Sequence, residues 1–277
     1  SVNKGAELNP AVDLLPLLGC GKEPGAFRKL IAEAAGVREE HLLSTELFLY
    51  PRTKAVQTGL NGEFIVSPRL DDLQCVFGCL EGFLAAKPGG SLPVLAVFNN
   101  EEVGSNTRQG ADSTFLTDVL ERIAHGCGLD SEGWKAVVAN SFMVSADNAH
   151  AIHPAHPEYA DKGEFPVLGG GIVIKYNANQ RYTTDAVSGA VFQAICQEAG
   201  VPVQRYSNRA DLPGGSTLGN ISTAHLSVPT VDIGLPQLAM HSVCETAGAA
   251  DTDYLVKAMT AYFSRDFHRD RDGGIVF

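Results

Sequence analysis

"LPVLAVFNNEEVGS", residues 92–105, starts as an apolar run and stops in amides and acids. A short stretch of Leu, Val, Ala and Phe reads as a strand buried on both faces, as in a parallel sheet. In open α/β sheets, ligand sites form at the carboxyl ends of such strands. Glu101 and Glu102, with Gly104 just behind them, therefore stand where a site is expected. An isolated Glu-Glu pair reads more plainly as a solvated acidic turn, because charged side chains are mostly exposed. The choice depends on what the other strand ends carry.

Outward from this stretch, elements alternate. "LDDLQCVFGCLEGFLAAK" and "ADSTFLTDVLERIAHGCG" have helical periodicity, while "FMVSAD" and "GGGIVIKYN" read as strands. "DAVSGAVFQAICQEAG" is a helix stopped at Gly200, followed by the strands "VPVQRYS" and "VPTVDIGL" and a last helix in "DTDYLVKAMTAYFSRDF". The expected fold class is α/β, with a mainly parallel central sheet flanked by helices over residues 66–277. Residues 1–65 differ: "GAFRKLIAEAAGV" and "REEHLL" read as helix, and "ELFLYPR" and "KAVQTGLNGEFIVSP" as short strands of a smaller α+β unit.

Composition removes several classes of function. With 277 residues, 44% of them hydrophobic, the chain can bury a large core in one or two domains. A net charge of −11 without a basic stripe argues against nucleic acid as a partner. No apolar run approaches the roughly 20 residues of a membrane helix. The six cysteines, at 20, 75, 79, 127, 196 and 244, have no zinc-ribbon spacing and read as reduced core thiols of a cytoplasmic protein.

Four apolar segments end in a residue able to bind metal: Asp71 in "SPRLDDL", Glu101 and Glu102 in "VFNNEEVGS", Asp147 in "FMVSADNAHAIHP" and His241 in "LPQLAMHSVCE". Carboxylate oxygens with imidazole suit Zn²⁺, Mn²⁺ or Co²⁺, and a carboxylate can bridge two ions. Neighbouring residues of an extended chain point to opposite sides. One of the two glutamates can then ligate metal while the other faces the cleft as a base. The glycine runs at 169–171 and 213–217 lack the Walker spacing and read as places where backbone approaches a cleft. The prolines around His153 and His156 mark an extended loop, with structural or surface roles for both histidines.

Taken in order, "SPRLDDL", "NNEEVGS…QGAD", "VSADNAHAIHP", "GGGIVIKYNANQRYTT", "RADLPGGSTLGN" and "VDIGLPQLAMHS" resemble the aspartyl aminopeptidases, from about residue 2 to about residue 263. The resemblance implies a two-zinc exopeptidase, with manganese or cobalt as alternative ions, that removes N-terminal Asp or Glu from peptides. It also implies a homo-oligomer, a dimer-based dodecamer. By position, Asp71 matches the carboxylate that bridges the metals, and Glu102, Asp147 and His241 match the other metal ligands. Glu101 matches the general base and Lys175 the partner of the substrate's acidic side chain. His150, Tyr182 and Met240 match residues of the substrate pocket. Residues 1–65 would be the remainder of a dimerisation domain.

Two departures follow from the same resemblance. Asp72 stands where family members usually carry Asn. The family's H-x-D-S-P motif, whose histidine completes the second metal site, is missing; the H-x-D at His268 to Asp270 lies in a charged tail and reads as no ligand. The chain thus looks like the C-terminal portion of a longer enzyme. A catalytically incomplete fragment or assembly subunit, or a metalloaminopeptidase for neutral residues, are the alternatives.

Overall fold

The computed structural model describes residues 7–277 apart from Lys22 and Pro213, so the start of the N-terminal unit and one residue of the 213–217 stretch lie outside it. The chain separates into two compact units, 1–50 and 51–277.

In the smaller unit, α1 (Ala26–Ala35) stops at Gly36, whose φ of 67° is the left-handed conformation of a helix end. "REEHLL" forms only one 3₁₀ turn, Glu39–His41, and "ELFLYPR" forms no strand. Arg28 Nη2 donates to the carbonyls of Glu39 and Leu42, at 2.7 and 2.6 Å, and so fixes the turn against α1.

The larger unit begins with the strands β1 (Val56–Thr58) and β2 (Phe64–Ser67), which were expected within a 1–65 domain. They pair instead inside a sheet of the larger unit, which is why the division falls after Tyr50. The helices α2 (Leu70–Ala85), α3 (Phe115–Gly126) and α4 (Ser131–Ala139) follow, then the strands β3 (Met143–Ala146), β4 (Ala149–His150) and β5 (Ile172–Tyr176). Next come α5 (Ala186–Glu198), β6 (Val203–Ser207), α6 (Leu218–Ser222), β7 (Thr230–Gly234), β8 (Pro236–Leu238) and β9 (Glu245–Gly248). The chain closes with α7 (Ala249–Phe263) and a small hairpin of β10 (His268–Arg269) and β11 (Ile275–Val276).

The central sheet has the order β3-β7-β5-β6. β3 runs parallel to β7 and β5 parallel to β6, with one antiparallel pairing, β5 to β7, between them. Ile172, Ile174, Val231 and Ile233 of its inner strands are at most 1% exposed and pack with Phe192 and Ile195 of α5 and Leu255 of α7. A second sheet, β1-β2-β9-β8-β4, lies at the strand ends of the first in sequence: β3 leads into β4, and β7 into β8. α2 lies against α7 at glycine contacts. A Cβ on Gly78 would sit 2.7 Å from the Leu255 side chain, and one on Gly82 2.5 Å from Met259. Cys75, Cys79 and Cys196 are core residues as expected, whereas Cys20, Cys127 and Cys244 are exposed; all six are free thiols.

The stretch 92–98 is not the buried strand its composition suggests. Among the described residues it pairs with no strand, and Leu92, Val94 and Val97 are 71%, 42% and 55% exposed while Leu95 packs on the core. Hydrophobicity alone does not make a strand; a ladder partner does, and none of the described strands provides one. Residues 101–104 form a turn, closed by Gly104 N–H donating to the Glu101 carbonyl at 2.7 Å. A tight turn, not extended backbone, therefore sets where the two glutamates go.

Candidate metal centre

Asp71 opens α2 with non-helical backbone (φ −80°, ψ 114°), before the regular turns begin. Its amide donates to Oε2 of Glu245 at 3.1 Å, and the amide of His241 donates to Oε1 of the same carboxylate at 2.8 Å. Glu245, on β9 and 2% exposed, thus ties together two segments far apart in the chain. His241 Nε2 then lies 3.1 Å from Asp71 Oδ2 and 3.0 Å from Glu102 Oε1. Asp71, Glu102 and His241 bring one donor atom each within 4.8 Å of one another, and so do Asp71, Asp72 and Asp147. Asp71 belongs to both groups.

Glu102 is delivered by a loop closed on itself. Asn99 N–H donates to the Gln109 carbonyl, and Asp112 N–H to the Ser105 carbonyl. A Cβ on Gly110 would lie 2.1 Å from that Ser105 oxygen, so only glycine allows the closure. Asp112 in turn meets His225 Nε2 at 2.7 Å, fastening the loop's end.

Asn148 organises the other group. Its amide donates to Asp72 Oδ1 at 3.0 Å, its side-chain NH₂ to Gln237 Oε1 at 2.6 Å and to the Leu70 carbonyl at 3.2 Å, and its Oδ1 accepts from Cys75 Sγ. Lys175, at the end of β5 and 2% exposed, donates from Nζ to the Asn148 carbonyl at 2.8 Å and to Asp147 Oδ2 at 3.3 Å.

The acids crowd one another, and three of them are displaced from their ordinary range. Burial foremost, and then Asp147, Glu102 and Glu245, push the Asp71 carboxyl up to about 8. Burial and Asp147 likewise hold Asp72 well above the usual carboxylate range. The Glu101 carboxyl is raised by burial first and then by Asp147 and Glu102. Burial lowers His150, and Lys175 reinforces that shift. At Lys175 itself burial opposes the charged form, but the Asp147 carboxylate outweighs it and the ammonium is held above its ordinary value. Oxygen donors with one imidazole, mutually repelling and gathered in a cleft, suit a divalent ion such as zinc.

All nine site residues singled out in the sequence line a single cavity of about 300 Å³. Asp71, Glu101, Glu102 and Asp147 form its acidic part, with the His241 imidazole beside them. Lys175, His150, Tyr182 and Met240 line the same space, with the Lys175 ammonium 5.5 Å from the Tyr182 ring centre. The sequence reading missed Glu245, Asn148 and Tyr206, whereas Gly215 to Thr217, from a stretch expected to bring backbone close to a cleft, line the cavity. A glutamate inside the apolar-flanked "CETAGAA" was the one available signal for Glu245, since an acid on a buried strand requires partners. The rings of His153 and His156 meet tilted at 40°, their centres 5.4 Å apart, in a loop outside the cavity lining.

Residues 9–263 match the family described as aminopeptidase I zinc metalloprotease (M18). The probable M18 family aminopeptidase 2 of Clostridium acetobutylicum is 44% identical over 267 residues, which is 95% of this chain and 62% of the relative. Among solved structures, the M18 aminopeptidase from Thermotoga maritima superposes with a TM-score of 0.78 at 26% identity, over 91% of this chain and 58% of that one. The mApe1 dodecamer of S. cerevisiae gives 0.74 at 30% identity, over 87% and 56%. The chain thus spans less than two thirds of the length of the relatives it matches. Among the described residues, no helix is long and apolar enough to cross a membrane.

Proposed function

Because the chain belongs to the M18 family of aminopeptidase I zinc metalloproteases, we propose that it carries the catalytic core of an aminopeptidase that removes N-terminal Asp or Glu from peptides. The observation that carries this reading is the shared use of Asp71 by two donor groups inside one cavity that also contains a buried ammonium. Asp71, Glu102 and His241 would hold one zinc, and Asp71 with Asp147 would hold the other, with Asp72 alongside. When bound, the zinc pair supplies Lewis acidity toward the scissile carbonyl and makes water more acidic.

The protein's own groups do the rest. Glu101 lines the cavity but belongs to neither donor group, so its carboxylate is free to take the proton of the attacking water and pass it to the departing amine. Lys175 spends two of an ammonium's three N–H donors on Asp147 and Asn148. The third, with the positive charge, is available to a carboxylate on the substrate's first side chain. Because the chain's net charge of −11 repels acidic peptides at long range, this selection acts locally in a sheltered pocket. Tyr182, His150 and Met240 shape the space around that side chain. We place the enzyme in the cytoplasm. We also assign the N-terminal unit, where Leu43 and Phe48 are 92% and 80% exposed, to contacts between copies in a dimer-based dodecamer.

The test is cleavage of Asp- and Leu-linked fluorogenic reporters by the purified chain, with and without chelator. Preferential cleavage of the Asp reporter, lost on chelation, is expected. Glu101→Gln should retain zinc but lose about 100-fold or more in rate, the scale of general-base catalysis. Equal cleavage of both reporters would refute the role given to Lys175.

One observation favours a second reading. Among the described residues, the Asp71, Asp72 and Asp147 group is all carboxylate, without a histidine. The chain would then be a catalytically incomplete piece that holds one zinc firmly and needs a further ligand from another polypeptide. One zinc per chain with no cleavage would support that reading; two tightly held ions would oppose it.

A further inference from the structure

One buried acid next to the cavity belongs to neither donor group. Asp232, on β7, is 1% exposed. Its Oδ2 accepts the Thr183 amide at 2.5 Å and the Thr183 hydroxyl at 2.8 Å, and its Oδ1 accepts the Thr217 hydroxyl at 2.9 Å. Its backbone amide donates to Thr184 Oγ1 at 2.8 Å. A Cβ on Gly219 would lie 2.3 Å from Asp232 Oδ1, so the start of α6 passes over the carboxylate only because that residue is glycine.

These bonds reach two separate loops, and both line the cavity. Thr183 and Thr184 directly follow Tyr182; Thr217 directly follows Gly215 and Ser216. Lys175, on β5, faces the same space, and β5 pairs with β7 in the strand register next to Asp232. A carboxylate with three donors on it is a stiff anchor, since bonds to an ionised acceptor are about twice as strong as neutral ones. One side chain therefore fixes both loops relative to the strand that bears the ammonium.

We propose that Asp232 is a specificity-positioning residue, which sets the spacing of the 182–184 and 215–217 loops around Lys175 and so the preference for an acidic first side chain. This rests on the reading of Lys175 given above. A core acid with a merely structural role would lower stability on removal and leave the discrimination between ligands unchanged.

The experiment measures Kd for L-aspartate and for L-leucine by ligand-observed NMR on the zinc-loaded full chain, for wild type, Asp232→Asn and Thr183→Val. Thr183→Val removes one hydroxyl from a residue outside the cavity lining, and it carries the test should Asp232→Asn fail to fold. Wild type is expected to bind aspartate about tenfold or more tighter than leucine, and the variants to compress that ratio to about threefold or less with zinc content unchanged. Folded variants that keep the wild-type ratio within about twofold would overturn the inference. A wild type with no preference would instead overturn the acidic-residue reading, and the positioning role with it.

Discussion

Replacing Glu245 by Gln tests how the metal centre is held together. The glutamate's two oxygens accept the amides of Asp71 and His241 at 3.1 and 2.8 Å in a site only 2% exposed. Glutamine keeps the volume but turns one acceptor into an NH₂ donor facing a buried N–H. A hydrogen bond to a charged acceptor contributes about 1.5–3 kcal/mol, and a buried donor left unpaired costs about 1–3 kcal/mol. Taking the lower part of each range, because relief of repulsion at Asp71 offsets some of the loss, gives about 3 kcal/mol. For a chain of this size that corresponds to a fall in Tm of roughly 6–12 °C. The donors it aligns should also bind zinc about 10–100-fold more weakly, the usual effect of losing a partner that orients metal ligands. Melting of the metal-free protein and a competitive zinc titration against a chromogenic chelator read the two effects separately. A lower Tm with zinc affinity within about threefold of wild type would refute the alignment argument, leaving Glu245 as scaffold only.

Other perturbations separate other contributions. Lys175→Met leaves the half-buried Asp147 without its cation and should destabilise by about 2–3 kcal/mol in urea unfolding, less than the loss of one partner from a fully buried pair. Gly110→Ala places a Cβ against the Ser105 carbonyl; the loop must open, so zinc affinity should fall along with about 1–3 kcal/mol of stability, measured in the same two assays. Asp251, fully buried in α7, accepts the Gly169 and Gly171 amides at 2.8 and 2.9 Å, yet burial outweighs these bonds and pushes its carboxyl up to about 6 from 3.8. With the folded value raised, its contribution is fully present below the unfolded value and is lost as pH rises through about 6. The advantage of wild type over Asp251→Asn should therefore shrink by about 2 kcal/mol between pH 4 and pH 7 in paired denaturant titrations.

Much of the scaffold was legible because its signals are local. Ile172 to Tyr176 and Thr230 to Gly234 are short apolar runs with turns at both ends, and the helices of 70–85 and 186–198 have long apolar stripes. The run at 92–98 misled because a strand is defined by its neighbour, which composition does not reveal. β8 and β9 are three and four residues long and too short to show a period. At the site, the donor types could be read from the ends of apolar segments, but their convergence could not. Asp71 and Glu245 are 174 residues apart and meet only through folding. Glu245, Asn148 and Asp232 were hidden for the same reason: each acts through partners supplied by distant segments, backbone amides for Glu245, an amide and hydroxyls for Asp232, and the Asp72, Cys75 and Gln237 side chains for Asn148.

The glycine-mediated contact between α2 and α7 has a consequence for the order in which the protein is made. α2 carries Asp71 at its start, and α7 begins at Ala249. During synthesis α2 therefore waits, its Gly78 and Gly82 groove open, until the residues of α7 have been made. Contacts between such distant segments also slow folding, because a long loop must close before they can form. The donor group of Asp71, Glu102 and His241 likewise comes together only after the segments that carry all three have been made.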